Sequence, residues 1–283
     1  MELLQPVWET VPIEAGELFE GARWIPDTDQ FQWVDILRGL VCRWSPYGGA
    51  GVEVRDLGLE FVTVALPLDA RSQVVASRDT VHVYDWETRE LTPIARADFD
   101  EDVRFNDGGL APDGRAYIGT MSMAGRDYAG SLYEVAAGEL VEILTGVGIS
   151  NGIGWRDQGS AYYVDSFHPR IDILDLGRRP ARRRGFASLD TGDEPDGLTV
   201  GPNGEVYVAL WRGERAARFA RSGERLPDIS IPANYPTSIA FGGRDGDLLL
   251  VTSAGHNEVS VPPKSADGEI FVTSASALLN YKG

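Results

Sequence analysis

Asn151-Gly152-Ile153-Gly154-Trp155-Arg156-Asp157-Gln158-Gly159-Ser160-Ala161-Tyr162-Tyr163-Val164-Asp165 is the stretch that decides the fold. It opens on a polar residue and a glycine and runs into an apolar strand. It breaks at Arg156-Asp157-Gln158-Gly159, then resumes as a run rich in aromatic and β-branched residues. The breaking residues are turn formers, and the run after them suits a pleated strand. The same opening recurs at fixed distance: Asn106-Asp107-Gly108 lies 45 residues before Asn151, and Asp196-Gly197-Leu198 lies 45 after it.

Working outward, six strand-like runs appear, at 31–36, 81–85, 116–119, 161–165, 205–209 and 248–252. Turn signals precede most of them, such as Pro112-Asp113-Gly114 and Gly201-Pro202-Asn203-Gly204. A further strand follows each after a loop, as in Leu40-Val41-Cys42-Arg43-Trp44 and Ser131-Leu132-Tyr133-Glu134-Val135. The average spacing is roughly 45 residues, the length of a four-stranded propeller blade. No segment of helical length has a 3.6-residue apolar period. The expected fold is therefore all-β, a six-bladed β-propeller with four-stranded blades, forming one domain over residues 1–283.

Composition narrows the function. The net charge of −17 repels phosphate backbones and argues against nucleic acid as a partner. Arg178, Arg179 and Arg182-Arg183-Arg184 form one basic cluster, read as a solvated turn between strands. No run of about 18 apolar residues occurs, and the N-terminus lacks a secretory pattern, so no membrane partner is expected. The single cysteine, Cys42, cannot form an intrachain disulfide. These features fit a soluble cytoplasmic protein.

Residues one blade apart occupy equivalent places around a propeller axis, and the first strand of each blade lines the central channel. Aligning the repeats puts Glu20, Ser72 or Gln73, Asn106, Asn151, Asp196, and Thr237 or Ser238 at one end of that channel. Each offers an oxygen, two are carboxylates, and none is a cation. Such a ring is costly unless a positive ion sits in it, and a hard divalent cation satisfies it. Asn-Gly and Asp-Gly are also ordinary hairpin-turn signals. What points to a site is their blade register, not the dipeptides.

The sequence resembles the gluconolactonase, regucalcin (senescence marker protein) and luciferin-regenerating enzyme family. The resemblance runs from Glu20 through Arg104-Phe105-Asn106-Asp107-Gly108, Gly119-Thr120-Met121, Ser150-Asn151-Gly152 and Pro195-Asp196-Gly197 to Val251-Thr252-Ser253-Ala254. It implies hydrolysis of a lactone, most simply a sugar lactone, with one divalent ion (Ca, Zn, Mn or Mg). By motif match, Glu20, Asn151 and Asp196 are implied metal ligands, and Asn106 a ligand directly or through water. Arg104 and Asn106 are implied substrate contacts, and Asp196 the candidate base. Two departures bear on substrate identity: Ser122-Met123-Ala124-Gly125 lacks the acidic residue some sugar-lactone members carry there, and Ala22-Arg23 replaces a commoner Pro-Val type.

The chemistry expected is attack of water on a metal-polarised lactone carbonyl, with Asp196 or a metal-bound hydroxide as base. Arg104 could instead be paired structurally with Glu101, Asp102 or Asp107. His82 reads as a packed strand residue. His168 and His256 read as loop residues that could reach the channel mouth. Trp33, Trp155 and Trp211 read as core or seam packing. The alternatives are a non-sugar ester, lactone or phosphotriester hydrolase, and a non-catalytic calcium-binding propeller. The residue speaking against the last is Arg104, which an ion buffer does not need. In the enzymatic readings the partner is a small-molecule lactone or ester.

Overall fold

The computed structural model describes residues 3–49, 51–255 and 261–279, whose strands form six sheets arranged as the six blades of a propeller. Blade 1 comprises β3 (Phe19–Ile25), β4 (Gln30–Asp35), β5 (Leu40–Trp44) and β6 (Glu53–Asp56). Blade 2 comprises β7 (Val64–Pro67), β8 (Ser72–Ala76), β9 (Thr80–Asp85) and β10 (Leu91–Arg96). Blade 3 comprises β11 (Val103–Leu110), β12 (Ala116–Ser122), β13 (Gly130–Ala136) and β14 (Glu139–Val147). Blade 4 comprises β15 (Ser150–Trp155), β16 (Ser160–Asp165), β17 (Arg170–Asp175) and β18 (Arg182–Ser188). Blade 5 comprises β19 (Glu194–Val200), β20 (Val206–Trp211), β21 (Arg215–Phe219) and β22 (Arg225–Ser230), with β1 (Leu3–Leu4) added in parallel outside it. Blade 6 comprises β23 (Pro236–Gly242), β24 (Leu248–Ser253) and β25 (Ile270–Ser274).

The fourth strand of blade 6 is β2 (Glu9–Thr10), which pairs antiparallel with β25. A segment from before blade 1 thus completes the last blade and closes the ring. The 275–279 tail ends in a helical turn, α1 (Ser276–Leu279).

Side-chain alternation explains why the second strands read as almost unbroken apolar runs. In β16, Ala161 and Tyr163 join an apolar cluster shared with blade 3, while Tyr162 and Val164 join one shared with blade 5. Both faces of the sheet are buried, so both parities must be apolar. Six such clusters form, one at each seam between neighbouring blades. The basic cluster is a solvated edge only in part: Arg178 and Arg179 pair with Asp175 and Glu134 from the turn, whereas Arg183, on β18, turns in onto the buried Asp165 and Asp172.

Blade 2 corrects the sequence alignment. The 81–85 run is β9, the third strand of its sheet, whereas the other five runs are second strands. Ser72 and Gln73 therefore begin the second strand, β8, not the innermost one. The innermost strand is β7, and Thr63 stands just before it, its hydroxyl 3.4 Å from the Ala76 carbonyl. The irregular spacing around Val81, 50 residues after Phe31 but 35 before Ala116, was the visible sign of this slip.

The innermost strands of the other five blades share a feature. Each carries a register shift at its opening: Glu20/Arg23, Phe105/Gly108, Ser150/Ile153, Pro195/Leu198 and Pro236/Ser238. A bulge re-aims the side chains beside it, in four of these five blades toward one end of the channel. The glycines following Asn151 and Asp196 are not hairpin turns. A Cβ on Gly152 would lie 2.4 Å from the Leu198 nitrogen, and one on Gly197 would lie 2.7 Å from the Thr237 carbonyl oxygen. They are glycine because innermost strands of adjacent blades approach too closely for a side chain.

Candidate metal and active site

Four ring residues meet at the floor of a cavity of about 810 Å³ at one mouth of the channel. They are Glu20 from β3, Asn106 from β11, Asn151 from β15 and Asp196 from β19. Each is at most 8% exposed. The innermost strands then run on to a smaller chamber of about 460 Å³ at the opposite mouth, walled by Trp24, Leu66, Trp155 and Phe241 among others.

The hydrogen bonds fix which atoms face inward. Asn151 Nδ2 donates to Ser166 Oγ at 3.1 Å, and that hydroxyl donates to the Pro195 carbonyl at 2.7 Å. The amide is thereby turned so that Asn151 Oδ1 is buried with no hydrogen-bond partner. Asp196 Oδ1 is likewise buried without one. Asn106 differs, because both ends of its amide are engaged. Its Oδ1 accepts from Arg104 Nη1 at 2.9 Å, and its Nδ2 donates to the Ser150 carbonyl at 3.1 Å.

Burial, and then the charge of Asp107, push the Glu20 carboxyl up to about 8, against an ordinary value of 4.5. Asp196 is also pushed well up, by burial first and then by Glu20 and Asp107. Burial draws the Arg104 guanidinium down to about 10, opposed by Glu20. Two buried carboxyls that resist ionisation alone, one of them bearing the unpartnered Asp196 Oδ1, and the unpartnered Asn151 Oδ1 form an oxygen-lined pocket that suits a hard divalent cation. Among the described residues no group of three or more carboxylate, imidazole or thiolate side chains is placed to hold a metal ion by itself. A cation here must therefore draw on the amide oxygens as well.

Thr237 and Ser238 do not join the cavity wall. Thr237 Oγ1 donates to the Phe19 carbonyl at 2.5 Å, and Ser238 Oγ accepts from the Ala22 amide at 2.9 Å. Both hydroxyls meet Thr252 Oγ1, so they stitch blade 6 to blade 1. Of the six aligned positions, four line the cavity.

Arg104 forms no ion pair with Glu101, Asp102 or Asp107, the three acidic neighbours that suggested one. Asp102 is taken by Arg126 at 2.6 Å and Asp107 by Arg23 at 3.4 Å. Arg104 lines the cavity, its guanidinium carbon 5.6 Å from the Phe61 ring centre.

His168 reaches the cavity wall, where its ring meets Tyr128 at 6.3 Å between centroids. Its Nε2 lies 3.7 Å from Asp165 Oδ2. Arg38 and Asp35 repeat the same three-residue spacing and distance in blade 1, which marks this contact as part of the blade scaffold. His82 is buried within β9 and is not part of the cavity wall. His256 lies outside the described residues. Cys42 is buried, and burial pushes its thiol up to about 12.

Three features escaped the sequence reading. Trp211 lines the cavity rather than only packing a seam, although its ring does meet Tyr235. Asp127 and Tyr128, on the β12–β13 loop, also line it. Asp127 stands just past the acid-free 122–125 stretch, and loops carry no periodicity to reveal it. Third, Arg23, part of one of the two departures from the family pattern, is not on this cavity's wall. It lines the opposite chamber.

The fold and site together define a class: a six-bladed propeller with an oxygen-lined, carboxyl-bearing pocket at one mouth of its axis. Comparison with known proteins gives the family. Residues 18–255 match the SMP-30/Gluconolactonase/LRE-like region, and the chain belongs to that family. It is 31% identical to regucalcin from Xenopus laevis over 260 residues, covering 87% of this chain and 86% of that one. It is 34% identical to the pentonolactonase from Haloferax volcanii over 249 residues, covering 84% and 82%. Its fold superposes on a calcium-binding protein, regucalcin, from Agrobacterium tumefaciens with a TM-score of 0.88, at 24% identity, covering 96% and 95% of the two chains.

Proposed function

We propose that this protein is a divalent-metal-dependent lactonase that opens a sugar lactone to its hydroxy acid. The observation carrying the reading is the pair of unpartnered, buried oxygens, Asn151 Oδ1 and Asp196 Oδ1, beside Glu20. Relatives support it, the pentonolactonase above all. Glu20, Asn151 and Asp196 would hold the ion, with calcium, magnesium, manganese and zinc all compatible with such ligands. Asn106, whose Oδ1 already accepts from Arg104, would reach the ion directly with its second lone pair or through water. When bound, the ion supplies Lewis-acid polarisation of the lactone carbonyl.

The chain's own residues do the rest. Asp196 takes a proton from the attacking water as the water oxygen bonds to the carbonyl carbon. It returns that proton to the ring oxygen as the acyl–oxygen bond breaks. Arg104, fixed by Asn106 and the Phe105 carbonyl, presents its planar fork to substrate oxygens. Asp127 supplies the hydroxyl acceptor that the 122–125 stretch lacks. Ser166 holds the Asn151 amide in its working orientation. The compartment proposed is the cytoplasm, where a lone buried thiol stays reduced.

A second reading, a non-sugar lactone or ester, is favoured by the apolar part of the wall, formed by Ile36, Met121, Ile149 and Phe167. Proton release from aldonolactones and alkyl lactones separates the two. The protein is assayed after EDTA treatment, after each metal is restored, and as Asp196→Ala. Metal-restored turnover of aldonolactones that is lost in Asp196→Ala is the expected result. Turnover of alkyl lactones alone would favour the second reading, and turnover of neither would refute both.

A further inference from the structure

Arg23 follows Glu20 by three residues on β3, beyond the register shift. Its guanidinium turns inward. Nη1 donates to the Ala22 carbonyl at 2.7 Å, and Nη2 donates to the Gly108 carbonyl at 2.6 Å. Nη2 also lies 3.4 Å from Asp107 Oδ1. Two main-chain carbonyls and one carboxylate, from blades 1 and 3, thus converge on one cation.

Asp107 is buried and lines neither the cavity nor the opposite chamber. Among the described residues, its carboxylate accepts, besides Arg23, only the Gly108 amide, at 2.7 Å. Without Arg23 a buried carboxylate and two buried carbonyls would lose their counter-charge, which is costly. A carboxylate with main-chain carbonyls is also the donor set that hard divalent cations take. Asp107 is close enough to the ring for its charge to act on both Glu20 and Asp196.

We propose that the Arg23 guanidinium is a built-in cation filling a second, oxygen-lined cation site on the axis, formed by Asp107 and the Ala22 and Gly108 carbonyls. The protein then takes one divalent ion, at the ring, where these oxygens would otherwise admit two. Only the first of those ions rests on the reading of the ring given above. A guanidinium suits this place because its planar fork can engage several oxygens at once.

The test counts bound metal, by calorimetry and elemental analysis, at about 1 mM calcium or manganese, a concentration that fills weak oxygen-ligand sites. The proteins are wild type, Arg23→Met, Arg23→Gln, Arg23→Lys and the double variant Arg23→Met/Asp107→Asn, each checked for fold by circular dichroism. Arg23→Met and Arg23→Gln are expected to gain one ion over wild type. Arg23→Lys keeps the wild-type count, and the double variant returns to it. A wild-type count in both uncharged variants overturns the proposal, as does a gain that survives Asp107→Asn. If Arg23→Met does not fold, Arg23→Gln, which can still donate to a carbonyl, decides the matter alone. A wild type that binds no ion, with Arg23→Gln binding one, would refute the ring reading and leave this proposal standing.

Discussion

Replacing Gly152 by alanine separates two accounts of the Asn-Gly and Asp-Gly pairs. If Gly152 served a turn, alanine would meet open space and pay only for backbone conformation, about 1 kcal/mol. The structure gives a different reason for glycine. The added Cβ would lie 2.4 Å from the Leu198 nitrogen, 2.6 Å from Leu198 Cβ and 2.7 Å from the Asp196 carbonyl oxygen. Two of these atoms are backbone, so β19 itself must shift. Overpacking of this kind costs up to about 3 kcal/mol, which for a chain of this size lowers Tm by roughly 6–12 °C. Because the displaced strand carries Asp196, metal affinity should fall as well. Thermal denaturation and calcium titration of Gly152→Ala test this. The control is Gly114→Ala, where φ is +86° and no atom lies within 4 Å. It is expected to lower Tm by roughly 2–4 °C and leave metal binding unchanged. A Gly152→Ala protein no less stable than Gly114→Ala, with metal affinity intact, would refute the close-approach account.

Three further outcomes follow, two from the site and one from the seam between blades 6 and 1. A carboxyl raised in the folded state holds its proton more tightly there, so it stabilises the metal-free fold fully below its ordinary value and loses that contribution as pH climbs through the raised one. The metal-free wild type should therefore lose stability relative to Glu20→Gln between about pH 4.5 and about 8, and the Tm gain on adding calcium should grow across the same window. Thermal melts with and without EDTA read it; a pH-independent calcium gain contradicts it. Arg104→Lys, which cannot present the same fork, should lower kcat/KM by roughly 10- to 100-fold while metal affinity stays near wild type. Thr237→Val removes the bridge to Phe19 and Thr252, so it should cost about 1–3 kcal/mol in denaturant melts and leave kcat unchanged.

Much of this architecture could be read from the chain because a propeller repeats. Asn106, Asn151 and Asp196 stand 45 residues apart, and equal spacing in sequence becomes equal angle about the axis. That register sufficed to bring Glu20 and these three residues together. It failed in blade 2, where hydropathy alone cannot tell a second strand from a third. It also could not say which ring oxygens are spent: the Thr237 and Ser238 hydroxyls are consumed by blade 1, and only side-chain geometry shows this. Arg23 and Asp107 are 84 residues apart and come from blades that are not neighbours, so no local pattern links them. Asp127 and Tyr128 lie on a loop whose path the blade repeat does not set. Trp211 carries the same aromatic signal as a core residue, and its exposure to the cavity is set by its place at the end of β20.

The most direct measurement is a crystal structure of the protein soaked in manganese, with data collected for anomalous scattering. One strong peak on the axis is expected, within about 2.6 Å of oxygens from Glu20, Asn151 and Asp196, with no second peak beside Asp107. A peak elsewhere, or none at the ring under conditions where the enzyme turns over lactone, would contradict the assignment of these residues as its metal ligands.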